Sequence, residues 1–142
     1  MIFRFLCLPV FCTIVTSLLA ACGGGANDGS DVPRPQASTT LEIGAKDVKF
    51  DRKALAVPAN ETVTLRFVND DSGVLHNVAI YTDKSAKEKL FAGELTTGKK
   101  TVDYSFTAPA AGVYYFRCDT HPDMNGTFYV DAPAGQASDP PF

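Results

Sequence analysis

The sequence predicts an all-β domain, a Greek-key β-sandwich, from three observations. Short runs rich in β-branched and aromatic residues fill the middle of the chain, and Gly, Pro, Asn or Asp separates them. Two of these runs, TVTLRF and VDYSF, alternate apolar with polar residues, as a half-buried antiparallel strand does. The length of this stretch, about 90 residues, suffices for one small core. We therefore expect a single domain over residues 39–131.

Seven strand segments follow one another along this domain: LEIGAKDVKF, KALAVPA, ETVTLRFVND, LHNVAIYT, TVDYSFTAP, GVYYFRCD and GTFYVDA. Their spacing and turn residues favour a Greek-key sandwich. Residues 83–90 (DKSAKEKL) are the one helical candidate, a short charged segment after the fourth strand. No internal repeat is visible, which agrees with a single domain.

The first 21 residues have the composition of an export signal. Arg4 precedes an apolar run over residues 5–20, and small residues stand just before Cys22. As a helix, this run of roughly 16 residues would span about 24 Å, less than the ~30 Å of the membrane's hydrocarbon core. A permanent transmembrane helix is therefore the weaker alternative.

The end of this segment, Leu19-Ala20-Ala21-Cys22, resembles the bacterial lipobox. The resemblance implies that Cys22 is lipidated and becomes the mature N-terminus; the alternative is an ordinary secretory signal with a cysteine nearby by chance. Two acyl chains anchor a protein stably where one does not. We expect an exported protein, periplasmic or otherwise extracytoplasmic, that Cys22 anchors to a membrane.

Two flanking segments lack the apolar residues that a core needs. Residues 22–38 are rich in Gly, Pro and polar residues, and they are predicted to form a flexible tether. Residues 132–142 have a similar composition and are predicted to form a flexible C-terminal tail.

The mature chain contains few residues with soft metal-ligating atoms, and their spacing is that of a single metal site. Removal of the signal and lipidation of Cys22 leave Cys118 as the only free thiol, together with His76, His121 and Met124. A thiolate, two imidazoles and a weak axial thioether suit a copper electron-transfer centre. An exported thiol without a disulfide partner is also prone to oxidation unless a metal holds it. The alternative is that both histidines are merely solvated or core residues.

Three of these residues lie within seven positions, in the pattern CDTHPDM. A tight loop is needed to turn His121 and Met124 back toward Cys118, and Pro122 favours such a loop because its φ is fixed. His76 must come from a distant part of the chain. Metal binding is therefore expected to depend on closure of the fold.

Between residues 41 and 130 the chain resembles the cupredoxins, the small blue copper proteins. The resemblance is carried by His76-Asn77 and by the closing block AGVYYFRCDTHPDMNGTFYV. It implies a sandwich or flattened barrel of about eight strands, with one type 1 copper held between two loops at one end. It also implies that His121 lies nearest the surface and that Asn77 forms hydrogen bonds between the ligand loops; the alternative for Asn77 is an ordinary polar loop residue.

The ligand loop has one departure from this family pattern. Its short C-x2-H-x2-M spacing is similar to the amicyanin type, but Thr120 stands where relatives often have a proline before the histidine. We expect this difference to affect loop rigidity and reduction potential. The predicted ligands are unchanged by it.

A buried site of this kind passes single electrons, and it has neither an open coordination position nor an acid/base pair for catalysis. The sequence therefore predicts an electron carrier and not an enzyme. One alternative is copper storage or delivery for oxidase assembly; another is a binding module that has lost its metal.

The expected partners are redox proteins, possibly a c-type cytochrome or an oxidase, and the carrier is expected to be monomeric. Of 13 Lys and Arg residues, Arg4 is lost with the signal, which leaves 12 against 16 Asp and Glu, a formal charge of −4. This charge and the lack of a basic run argue against nucleic-acid binding. An acidic rim around the copper end would attract a basic partner, although its members are equally typical of solvated loops: Asp70, Asp71, Asp119 and Asp123.

Overall fold

The computed structural model describes residues 32–133. The predicted signal, the lipidation site Cys22, most of the tether and most of the tail therefore lie outside the described residues. Within residues 32–133 there is no helix long and apolar enough to cross a membrane.

The described chain forms these strands: β1 Thr40–Lys46, β2 Lys49–Phe50, β3 Ala54–Pro58, β4 Thr62–Asn69, β5 Leu75–His76, β6 Ala79–Tyr81, β7 Lys89–Ala92, β8 Thr96–Thr97, β9 Lys100–Thr107, β10 Gly112–Arg117 and β11 Asn125–Asp131.

Two main sheets make up the domain, one with the strand order β2-β1-β4-β9 and the other with the order β3-β11-β10-β6-β7. A small third sheet pairs β5 with β8. Strands β2, β5 and β8 have only two residues each, and the remaining eight strands match the predicted number. The predicted all-β sandwich is thus confirmed.

The core lies between the two main sheets. Strand β4 shows the predicted alternation, because Val63, Leu65 and Phe67 are fully buried whereas Thr64 and Arg66 are exposed. This period of two residues is the one that a strand with a single buried face requires.

The opposite sheet contributes aromatic rings to the same core. Phe116 on β10 is fully buried, and its ring centroid lies 5.6 Å from that of Phe50. Phe128 on β11 is also fully buried and packs in the same cluster. Since β10 leads directly into Cys118, this packing fixes the strand that presents the cysteine.

The predicted helix at residues 83–90 is wrong. The chain forms a turn, in which the Ala86 amide donates to the Asp83 carbonyl over 3.1 Å and the Ser85 amide donates to the Asp83 carboxylate over 2.7 Å. Aspartate side chains compete with the helix in this way by bonding nearby backbone amides. Residues 89–90 already belong to β7, which pairs with β6.

The described end of the predicted tether lies against the domain. The Ser38 amide donates to the Ala56 carbonyl over 3.0 Å, which places this segment beside β3. The Arg34 guanidinium lies 4.5 Å from the centroid of the Tyr129 ring and pairs with the Asp131 carboxylate. Residues 34–38 therefore follow the outer side of β3 and β11.

Gly126 occupies a position with no room for a side chain. A Cβ atom there would collide with the Lys53 carbonyl oxygen and with the ring of Phe116. We expect Gly126→Ala to lower the free energy of unfolding by about 1–3 kcal/mol through overpacking. Urea unfolding of the full chain checks this, with Gly44→Ala as the control, because a Cβ at Gly44 makes only ordinary contacts with Asp51. Equal stability of the two variants would contradict this account of Gly126.

Candidate metal centre

The structure brings three of the predicted ligand residues together. The Cys118 Sγ lies 3.7 Å from the Nδ1 of His76 and 3.8 Å from the Nδ1 of His121. The two Nδ1 atoms are 3.1 Å apart. One ligand atom from each of the three residues thus lies within 4.8 Å of the others.

These separations fit a bound metal ion. Bonds of about 2.0–2.3 Å from nitrogen and sulfur to one ion place the ligand atoms roughly 3–4 Å apart. Two of the three residues are completely buried, so a bound cation would satisfy ligand atoms that water does not reach. A thiolate with two imidazoles is also the donor set that suits copper.

The three residues come from two segments of the chain. His76 ends the short strand β5, whereas Cys118 directly follows β10. His76 and Cys118 are both 0% exposed, and His121 is the one member of the cluster with partial exposure. Of the three residues, His121 is therefore the most exposed.

The loop from Cys118 to Met124 closes on itself. The Cys118 amide donates to the Met124 carbonyl, and the Met124 amide donates to the His121 carbonyl, both over 2.9 Å. Met124 is 1% exposed and belongs to the same apolar cluster as Cys118. Its backbone thus lies beside the site, while the axial role of its thioether stays a prediction.

Asn77 connects the two segments that carry the predicted ligands. Its Oδ1 accepts a hydrogen bond from the Asp119 amide over 2.9 Å, and its Nδ2 donates to the Asp119 Oδ2 over 3.1 Å. The same Nδ2 donates to the Gly93 carbonyl over 3.0 Å. Because Asn77 follows His76 and Asp119 follows Cys118, these bonds fix the distance between the two ligands.

Thr120 forms a second connection between the segments. Its hydroxyl donates to the carbonyl of Leu75, the residue before His76, over 2.8 Å. The same oxygen lies 3.2 Å from the Cys118 Sγ and 3.0 Å from the His121 Nδ1. A proline at this position would have no hydroxyl and could not form the bond to Leu75. Thr120 therefore lacks the rigid ring of a proline but connects the two loops by a hydrogen bond.

Asp119 also takes part in a network behind the cysteine. Its carboxylate accepts hydrogen bonds from the Tyr81 hydroxyl and, over 2.9 Å, from the Lys89 ammonium. Burial raises the pKa of Asp119, but the bonds from Lys89, Tyr81 and Asn77 outweigh that effect and lower the pKa overall. The carboxylate is therefore largely committed to partners inside the protein.

Asp71 lies in a loop beside the predicted metal site, but its carboxylate faces an internal partner. Its Oδ2 lies 2.9 Å from the Nε2 of His76, and its side chain is only 11% exposed. Of the four predicted rim residues, Asp71 and Asp119 therefore face internal partners, while Asp70 and Asp123 are exposed. The spacing of Asp71 in the sequence carries no signal for this contact.

Comparison with known proteins identifies the family of the chain that carries this site. A model of the cupredoxin-like domain matches residues 11–130. The chain belongs to the cupredoxin family. Auracyanin-A of Chloroflexus aurantiacus is 32% identical to this cupredoxin over 158 aligned positions, which cover 90% of this chain and 97% of the relative.

Solved structures of blue copper relatives have the same fold. Reduced auracyanin from Roseiflexus castenholzii superposes with a TM-score of 0.62 at 26% identity, covering 68% of this chain and 99% of that one. Auracyanin A of C. aurantiacus, a "blue" copper protein, gives a TM-score of 0.57 at 29% identity, covering 65% and 98%. The His-Cys-His cluster and these blue copper relatives together support copper-based electron transfer by this chain, with one type 1 copper.

The bonds of Asn77 provide a test of how the loops are held. Asn77→Ala leaves the partly buried Asp119 amide and the buried Gly93 carbonyl without their partner, so we expect a loss of roughly 2 kcal/mol or more in unfolding free energy. Urea unfolding of the metal-free chain measures this loss of unfolding free energy. Asn125→Ala is the matched control, because that amide makes one exposed bond to Pro122. A smaller loss for Asn77→Ala than for the control would contradict the proposed clamp.

Proposed function

We propose that His76, Cys118, His121 and Met124 hold the copper and that the chain is a one-electron carrier, not an enzyme. The observation that carries this proposal is the convergence of two Nδ1 atoms on the Cys118 Sγ within 4 Å. Copper, when bound, supplies a one-electron couple. The protein's part is to hold the ligands in one arrangement for both oxidation states.

The connections between the loops support this role. Asn77 joins Asp119, and Thr120 joins Leu75, so the residues before and after His76 are both bonded to the loop that follows Cys118. A site held in this way changes little when an electron arrives or leaves, which favours fast transfer. His121, with its partial exposure, is the ligand through which a partner can exchange electrons.

Two ligand substitutions test the assignment. Cys118→Ser should abolish the intense thiolate-to-copper band near the red end of the visible spectrum, because the band needs the sulfur. Met124→Leu should keep the colour and raise the reduction potential, because it removes only a weak axial donor. Spectra and voltammetry of the copper-loaded chain measure both. An unchanged potential in Met124→Leu would show that Met124 is not the axial ligand.

The same preparation separates the carrier from a copper storage or delivery protein. A carrier gives a reversible one-electron wave and releases copper slowly to a Cu(I) chelator, because its site is buried and closed by hydrogen bonds. Rapid loss of copper without a reversible wave would favour delivery. An absence of copper binding would favour a module that has lost its metal.

The membrane anchor is the second part of the proposal. If the predicted tether is a flexible coil, a lipid on Cys22 would stand about 12 residues before Arg34, with an r.m.s. reach of roughly 17–21 Å. Arg34 contacts Asp131 at the far end of β11, whereas Met124 precedes the near end, roughly 20 Å away. This arrangement favours a copper end that points away from the membrane, toward a soluble redox partner such as a c-type cytochrome or toward an oxidase.

Lipidation has a direct test. We expect the mature chain to fractionate with membranes and to carry a diacylglyceryl mass on Cys22, because two acyl chains suffice for stable anchoring. Cys22→Ser should release the protein into the soluble exported fraction. Mass spectrometry of the purified chain identifies the modification. Membrane association that persists in Cys22→Ser would contradict the lipid anchor.

A further inference from the structure

The Asp71 carboxylate connects a predicted copper ligand to a distant turn. Its Oδ2 lies 2.9 Å from the Nε2 of His76. Its two oxygens also accept hydrogen bonds from the backbone amides of Asp47, over 2.6 Å, and Val48, over 2.9 Å. The carboxylate thus links the turn between β1 and β2 to the buried imidazole.

Other groups hold Asp71 in this position. Its amide donates to the Asn69 Oδ1 over 3.0 Å, and the Asn69 Nδ2 donates to the carbonyls of Val74 and Thr96. Gly98 passes so close that a Cβ there would collide with the Asp71 carbonyl oxygen. The Asp71 backbone, and with it the carboxylate, is therefore placed by buried or partly buried hydrogen bonds and by close backbone contact.

The turn that bonds Asp71 has an unusual backbone. Asp47 and Val48 have φ angles of 52° and 55°, in the left-handed region that two-residue hairpins use. A β-branched residue such as Val48 is disfavoured there, and such strain persists only where the surroundings impose it. The two amides that this conformation presents both bond the Asp71 carboxylate, which stabilises the strained turn.

An ionised carboxylate accepts hydrogen bonds and cannot donate them. Because a neutral imidazole carries one N–H, the proton of His76 is placed on Nε2, and its Nδ1 presents a lone pair toward Cys118 and His121. The same carboxylate brings a negative charge next to a ligand of the site. Oxidised copper carries one more positive charge than reduced copper, so this charge favours the oxidised ion.

We propose that Asp71 is a positioning residue of the copper centre, which directs the Nδ1 of His76 toward the metal and lowers the reduction potential through its charge. This inference rests on the proposed assignment of His76 as a copper ligand. Asp71 lies in the loop between β4 and β5. It contacts His76 at Nε2 and not at Nδ1, the atom that faces Cys118 and His121.

The test compares Asp71→Asn with Asp70→Asn in the copper-loaded full chain. Both variants remove one negative charge from adjacent positions, but Asp70 is exposed and only Asp71 contacts His76. For Asp71→Asn we expect about a tenfold shift in preference toward reduced copper, which for one electron is about 59 mV of potential. The shift in Asp70→Asn should be several times smaller because solvent screens that charge. Equal potentials in the two variants would overturn the proposal.

Should Asp71→Asn fail to fold, the comparison is repeated with Val48→Gly added to both variants and to the reference. A glycine adopts the φ of 55° without strain, so the turn then needs less support from Asp71. The expected difference in potential between the variants is the same as before.

A measurement on the metal-free wild-type chain tests the positioning part by itself. At about pH 8, where an unperturbed imidazole is neutral, the ¹⁵N shifts of His76 should show a protonated Nε2 and a bare Nδ1. A protonated Nδ1 would overturn this part. The result does not depend on copper, so it is distinguishable from a failure of the ligand assignment, which would appear as the absence of the thiolate band in the loaded protein.

Discussion

The distance between two loops is the constraint on which this molecule depends. Cys118 and His76 are 42 positions apart in the chain, yet their ligand atoms must stay 3.7 Å apart for one ion to bridge them. Apolar packing between the sheets brings the loops near each other, but it is non-directional and cannot set such a distance. Directional hydrogen bonds set it, and they come from Asn77 and Thr120.

The hydrogen bonds of Asn77 are buried or partly buried, whereas the bond from Thr120 to Leu75 is exposed. A polar group withdrawn from water must keep its partner or lose roughly 1–3 kcal/mol, so the loops have no inexpensive alternative arrangement. Asn77 is 2% exposed and uses both its oxygen and its nitrogen. The predicted electron-transfer role follows from the same property, because a site that is costly to rearrange stays similar in both oxidation states.

The acidic residues near this end divide into two kinds. Asp71 and Asp119 have internal partners: the first bonds His76 and the turn at residues 47–48, and the second bonds Asn77, Tyr81 and Lys89. Asp70 and Asp123 remain exposed. Of these four carboxylates, the exposed ones that a basic partner could contact directly are therefore those of Asp70 and Asp123, whereas the other two bond internal groups.

The sequence by itself determined the fold class and the three residues that cluster. Alternating strands such as β4 are visible because their side chains repeat every two residues, and Cys118, His76 and His121 are visible because the mature chain has so few soft ligands. The turn at residues 83–86 is also local, because Asp83 bonds the amides of Ser85 and Ala86, but the partners of Asp71 were decided only in the tertiary structure. Asp71 bonds amides 23 and 24 positions away, and aspartates in loops look alike until the fold brings specific donors to some of them.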